Sequence, residues 1–69
     1  MDTAKLVTMA NQIADFFAAQ AGDAAQATAR HIAENWDPRM RAGLRTHVES
    51  GGEGLSATAK AALARLGGG

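Results

Sequence analysis

The side chains that could carry out chemistry in this 69-residue chain are two histidines and two serines. His31 and His47 lie outside any HxxxH or HExxH spacing, so a metal site would need both imidazoles and a carboxylate to converge from different helices. Ser50 precedes a glycine pair, Ser56 is placed to cap a helix, and neither lies in a GxSxG nucleophile elbow. We therefore expect no catalytic residues, no cofactor-binding residues and no metal site.

A glycine-rich stretch, GGEG at residues 51–54, raises the question of phosphate binding. A phosphate-binding loop of the P-loop type follows a strand and ends in GK[ST], and this sequence shows neither feature. The stretch is more simply a turn that needs positive φ.

Four of the seven Lys and Arg residues fall within sixteen positions of the chain. They are Arg30, Arg39, Arg41 and Arg45. Residues 38–50 could form the recognition helix of a helix-turn-helix, but the preceding turn lacks the usual glycine and Asp37 would face phosphates. The chain also lacks a basic surplus, so we expect no nucleic-acid binding. Solvated arginines and pairing with a partner's carboxylates remain as alternatives.

The segment WDPRMR, which begins at Trp36, combines a helix boundary with residue types that are common in interfaces. Asp37 is predicted as an N-cap and Pro38 as the first residue of the next helix. Trp36 and Arg41 have the spacing of a hydrophobic staple, with the guanidinium stacked on the indole. Arg39 has no obvious partner within the chain, which favours an external one.

These residues must be positioned by helices, and the first is predicted from Asp2 to Ala21, capped by Asp2 or Thr3. Its apolar stripe is formed by Leu6, Ala10, Ile13 and Phe17. Met9 and Phe16 widen one flank, so that the apolar sector covers about half the circumference, more than a surface helix usually needs. The sequence leaves open whether that flank is buried within the chain or against another subunit.

Three further helices follow the first. Asp23 is predicted to cap the second, and Ser56 a short fourth that ends near Leu66. The inner stripe of the second helix is Ala25, Ala29, Ile32, Ala33 and Trp36. The inner stripe of the third helix, residues 38–50, is Met40, Leu44, His47 and Val48. Leu55 is predicted to plug the core from the loop, His47 to be half-buried and hydrogen-bonded, and His31 to be exposed.

The predicted fold class is all-α: a small bundle of three to four short helices. Residues 1–66 form a single helical domain and residues 67–69 a flexible glycine tail. There is no Cys, and seven basic residues balance seven acidic ones. No apolar run approaches the roughly 20 residues of a membrane span. We therefore expect a soluble, cytoplasmic chain with no membrane association. Its core is thin for a domain without disulfides, which indicates stabilisation by another chain.

Three blocks of the sequence carry a family resemblance. LVTMANQIADFF (residues 6–17), HIAENWDPRMRAGLRTHV (31–48) and GGEGL (51–55) resemble the delta subunit of NAD-dependent, molybdenum-containing formate dehydrogenases. The likeness extends over about residues 5–66. It is weakest at residues 18–28, where relatives are expected to carry a proline and more charge.

The resemblance implies membership in a soluble cytoplasmic complex that oxidises formate and reduces NAD. In such a complex the alpha subunit carries bis-molybdopterin guanine dinucleotide and iron–sulfur clusters, beta binds FMN and NAD, and gamma holds a further cluster. The delta subunit is implied to be a non-catalytic accessory subunit that docks on alpha and supports assembly or stability. A chain without Cys, which cannot supply thiolates to a cluster, agrees with this role.

We predict that six residues contact the partner subunit. They are Met9, Phe16, Trp36, Arg39, Met40 and Arg41. The alternatives are a small nucleic-acid-binding regulator and a transient chaperone for insertion of the pterin cofactor, whose phosphates the arginines would bind. The sequence also leaves open whether the isolated chain forms a homodimer.

Overall fold

The computed structural model describes residues 2–66, which form four helices and no strand. The helices are α1 (Thr3–Ala18), α2 (Ala24–Asn35), α3 (Pro38–Glu49) and α4 (Ala57–Leu66). This confirms the all-α fold. The predicted glycine tail, residues 67–69, lies outside the described residues.

Every helix begins at a side-chain cap that the sequence predicted. The carboxylates of Asp2, Asp23 and Asp37 each accept a hydrogen bond from a backbone N–H in the following turn, at 3.1, 3.1 and 2.9 Å. Ser56 Oγ accepts one from the Ala59 N–H at 3.2 Å. Since the first N–H groups of a helix have no partner inside it, these caps fix where each helix starts.

The end of α1 corrects the predicted boundary. The helix stops at Ala18 rather than Ala21, with Ala19 as its C-cap. Residues 18–22 are all exposed, so no core contact holds a further helical turn. The chain then reverses through Gly22, whose φ of 113° is a conformation that favours glycine.

The core lies between α1, α2 and α4, with α3 closing one side. Its buried residues are Leu6, Ala10, Ala14, Ile32, Trp36, Leu44, Leu55, Ala59 and Leu63. Leu55 therefore fills the core from the loop, as predicted. On α2 the predicted inward residue Ala33 is exposed, whereas Thr28 is fully buried. The buried face of α2 is thus rotated towards Thr28, because this helix packs against α4 as well as α1.

A glycine brings α3 close to α1. A Cβ added at Gly43 would lie 3.0 Å from Leu6 Cδ1, closer than such atoms normally approach. The absence of a side chain therefore sets the spacing of the two helices near their N-terminal halves.

The segment between α3 and α4 is held by two polar side chains. His47 Nε2 lies 2.7 Å from the Glu53 carbonyl oxygen, which confirms the predicted half-buried, hydrogen-bonded histidine. Asn11 donates from Nδ2 to the Gly54 carbonyl at 2.8 Å, and its Oδ1 accepts from the Ser56 N–H at 2.9 Å. The Asn11 amide thus ties α1 to the start of α4.

Candidate interaction surface

The two histidines have separate structural surroundings. His47 holds the loop described above, and the ring of His31 packs edge-on to Phe17 with centroids 6.2 Å apart. His31 is half-buried by this contact, which corrects the predicted exposure. Within residues 2–66, no cluster of three or more His, Cys, Asp or Glu side chains is arranged to hold a metal ion.

The serines and the glycine-rich loop also have local roles. Ser50 Oγ donates to the Thr46 carbonyl at 3.2 Å, as hydroxyls at helix ends commonly do. Ser56 caps α4. Three of the loop's residues, Gly51, Gly52 and Gly54, have positive φ, so the turn interpretation of GGEG agrees with its backbone.

Two of the six predicted partner-binding residues point into the chain itself. Trp36 is only 5% exposed and belongs to the core. The Arg41 guanidinium donates from Nη1 to the carbonyl oxygens of Ala33 and Trp36, at 3.0 and 3.1 Å. These are carbonyls at the end of α2, which lack partners within the helix. The contact that the structure shows for Arg41 is therefore to backbone rather than to the indole face.

Arg39 and Met40 lie in a groove between the N-terminal turns of α1 and α3. The groove, about 490 Å³ in volume, is lined by Asp2, Lys5, Leu6, Asp37, Arg39, Met40 and Gly43. We call it the α1/α3 groove. Arg39 is exposed, and Met40 is half-buried against the core. Lys5 was not among the predicted partner-binding residues, and it faces the same groove.

The remaining two predicted residues, Met9 and Phe16, lie seven positions apart on one side of α1, with Ile13 between them. We call these three residues the α1 edge. Met9 and Ile13 are half-buried, whereas Phe16 is 62% exposed. Among residues 2–66, Phe16 is the one large apolar side chain that is exposed. Its ring packs edge-on to Phe17, with centroids 5.2 Å apart.

A shallow hollow of about 260 Å³ adjoins Phe16. It is lined by Gln12, Ile13, Phe16, Phe17 and His31. Exposed aromatic side chains beside an apolar hollow are characteristic of interaction sites, where Phe, Tyr and Trp are enriched. The sequence had indicated Phe16 through its position on the flank of the apolar stripe. It had counted Phe17 in the stripe itself, and the structure shows Phe17 half-buried, with its ring edge-on to Phe16 and His31.

One ion pair joins distant parts of the described chain. Arg65 Nη1 lies 2.7 Å from Asp23 Oδ2, and both side chains are about half exposed. Hydrogen bonding from Arg65, followed by that from the Gln26 N–H, lowers the pKa of Asp23 below its usual value. The same carboxylate therefore caps α2 and links it to α4, but a pair this exposed contributes little to stability.

Comparison with models of protein families identifies the relationship of this chain to known proteins. The model for the NADH-dependent formate dehydrogenase delta subunit, FdsD, matches residues 5–63 of the 69. The chain belongs to this family. The match confirms the resemblance seen in the three sequence blocks. It spans all of α2 and α3 and most of α1 and α4. Searches of curated proteins and of solved structures gave no match. No helix in the described part of the chain is long and apolar enough to cross a membrane.

Proposed function

We propose that this chain is a non-catalytic accessory subunit that supports assembly or stability of a cytoplasmic NAD-dependent formate dehydrogenase complex. Family membership supports a place in such a complex. The chain would dock on the molybdenum-carrying alpha subunit, with beta and gamma completing the complex. Those other subunits would hold the cofactors: bis-molybdopterin guanine dinucleotide, iron–sulfur clusters, FMN and NAD. This chain has no Cys, so it would supply no thiolate ligand to an iron–sulfur cluster.

The observation that carries the docking proposal is the exposure of Phe16. Burying a Phe side chain fully is worth about 1.5–3 kcal/mol, and most of that is unrealised while the ring faces water. Met9 and Ile13 extend the same apolar surface along α1. A partner that covers the α1 edge would gain this burial without any rearrangement of the core.

Co-purification with alpha tests the proposal. We expect Phe16→Glu to reduce the amount of chain recovered with a tagged alpha subunit by at least about tenfold, because a charge would replace an aromatic ring that the partner buries in the complex. Thr8→Glu is the matched control, since it adds the same charge on an exposed position of the same helix. Recovery of Phe16→Glu at the wild-type ratio would exclude the α1 edge as the docking surface.

The same preparation separates a permanent subunit from a transient chaperone for pterin insertion. A permanent subunit is present at a stoichiometric ratio in the purified, active complex. A chaperone would accompany only alpha that lacks its cofactor. If the wild-type chain is recovered with neither form, the accessory role itself is wrong.

A further inference from the structure

We propose that the α1/α3 groove binds an acidic, amphipathic segment of the partner subunit, with a carboxylate between Lys5 and Arg39 and an apolar side chain over Leu6 and Met40. The inference rests on the proposed function, because it names the chemistry of the segment on which the chain docks. It concerns a different surface from the α1 edge, and the two can be tested separately.

The floor of the groove is apolar. Leu6 is only 2% exposed, and Met40 packs half-buried against the core. Gly43 contributes no side chain, so that the floor stays open where any larger residue would project towards Leu6. Methionine adapts its shape to different neighbours, which suits a surface that must fit a foreign side chain.

The two cations of the groove, Lys5 and Arg39, lie at positions where a positive charge destabilises a helix. Lys5 is the third residue of α1 and Arg39 the second of α3. The N-terminus of a helix carries a partial positive charge, so cations in the first turn are unfavourable and carboxylates are favourable. Neither cation forms an ion pair with a carboxylate in residues 2–66. Their placement is unfavourable for the two helices themselves, and an anionic group from a partner would compensate this cost.

The two carboxylates at the rim, Asp2 and Asp37, already have partners. Each accepts a hydrogen bond from a backbone N–H of its own helix. Each also lies at a helix N-terminus that favours negative charge. They would repel a polyanion such as a nucleic acid, whereas a protein segment can place one carboxylate at the cations and apolar groups elsewhere. The arrangement thus favours a partner segment that brings one carboxylate to the cations and an apolar side chain beside it.

Removing the two charges tests the groove. The double variant Lys5→Gln, Arg39→Gln is compared with Arg30→Gln, Lys60→Gln, which removes the same charge from exposed residues that do not line the groove. Dissociation constants come from dilution of the purified complex at several salt concentrations. We expect the groove variant to bind about tenfold more weakly at low salt, because two ion pairs are lost and each exposed pair changes an equilibrium constant by up to about fivefold. The difference should shrink near 1 M salt, where the Debye length is about 3 Å.

Failure of this inference is distinguishable from failure of the proposed function. If both double variants bind as the wild type does while Phe16→Glu does not, the acidic-segment proposal is wrong and docking through the α1 edge stands. If no form of the chain joins the complex, both are wrong. Far-ultraviolet circular dichroism of the variants provides the folding check, and the spectra should match the wild type because neither cation forms an ion pair within residues 2–66.

A second measurement identifies the partner carboxylate directly. Carbodiimide couples an amine to a carboxylate only when the two are in contact, so treatment of the assembled complex should join Lys5 to an Asp or Glu of the partner. Lys60 on α4 is the internal control and should give no such product. Products that join Lys5 only to Asp2 or Asp37 of its own chain would overturn the proposal.

Discussion

Arg39 and Arg41 lie two positions apart near the start of α3, yet their guanidinium groups have different surroundings. Arg41 donates hydrogen bonds to two carbonyls at the end of α2 and so links α3 to α2. Arg39 is exposed in the α1/α3 groove. The first is explained by the fold alone, whereas for the second we propose a contact with a partner.

This contrast gives a stability prediction. Arg41→Gln should lower the free energy of unfolding by about 1–2 kcal/mol, because charge-assisted hydrogen bonds to the α2 carbonyls are lost. Arg39→Gln should change it by less than about 0.5 kcal/mol, as expected of an exposed residue that has no hydrogen bond or ion pair within residues 2–66. Urea unfolding of the isolated chain, followed by circular dichroism, measures both values. Equal effects of the two substitutions on the free energy of unfolding would show that the hydrogen bonds of Arg41 to the end of α2 do not stabilise the fold.

Residue-level expectations succeeded where the physics is local. The roles of Asp37 and Pro38 follow from rules that involve only the adjacent helical turn. The acceptor of Arg41 could not be read in the same way, because it depends on the angle between α2 and α3. The pairing of Asp23 with Arg65 joins residues from opposite halves of the chain, and no spacing rule predicts it.

At the scale of elements, apolar periodicity predicted the four helices but not which side of α1 faces outward. One side is covered by the loop before α4: Asn11 holds that loop, and a Cβ at Gly54 would lie 3.5 Å from Val7. The other side, the α1 edge, stays partly exposed, most of all at Phe16. An apolar sector that covers half a helix fits either arrangement, so the choice depends on where the loop docks.

The loop contact leads to a prediction about α1 and α4. Asn11→Ala should lower the free energy of unfolding by about 1–3 kcal/mol, since the part-buried Ser56 N–H and the Gly54 carbonyl lose their partner together. For a domain of this size each kcal/mol corresponds to roughly 4–8 °C in Tm. Gln12→Ala is the matched control, because it removes an amide from the next, exposed position. Similar melting temperatures for the two variants would show that the Asn11 contacts do not stabilise the loop.

At the scale of the whole molecule, the core is small. Six of the twelve buried apolar residues are alanines, which bury little surface each. Thr28 is fully buried, and its hydroxyl has no hydrogen-bond partner among the described residues, which further reduces what the core contributes. The sequence indicated this weakness through its alanine content, and it connects the fold to the proposed function, since a marginal domain gains most from a bound partner.

This leads to a prediction for the free and the assembled chain. The isolated chain should unfold with a free energy of about 3–5 kcal/mol, the usual upper range for domains of this length without disulfides or metals. Because a partner that binds only the folded state stabilises it by about 2.7 kcal/mol at a hundredfold excess over Kd, the slowest amides of α2 and α4 should exchange about a hundredfold more slowly in the complex. Hydrogen exchange with mass spectrometry measures the exchange rates in the complex and in the isolated chain. The isolated chain is measured at two concentrations. Slower exchange at the higher concentration would mean that a second copy also stabilises the chain. Equal rates in the free chain and the complex would mean that docking does not stabilise the fold.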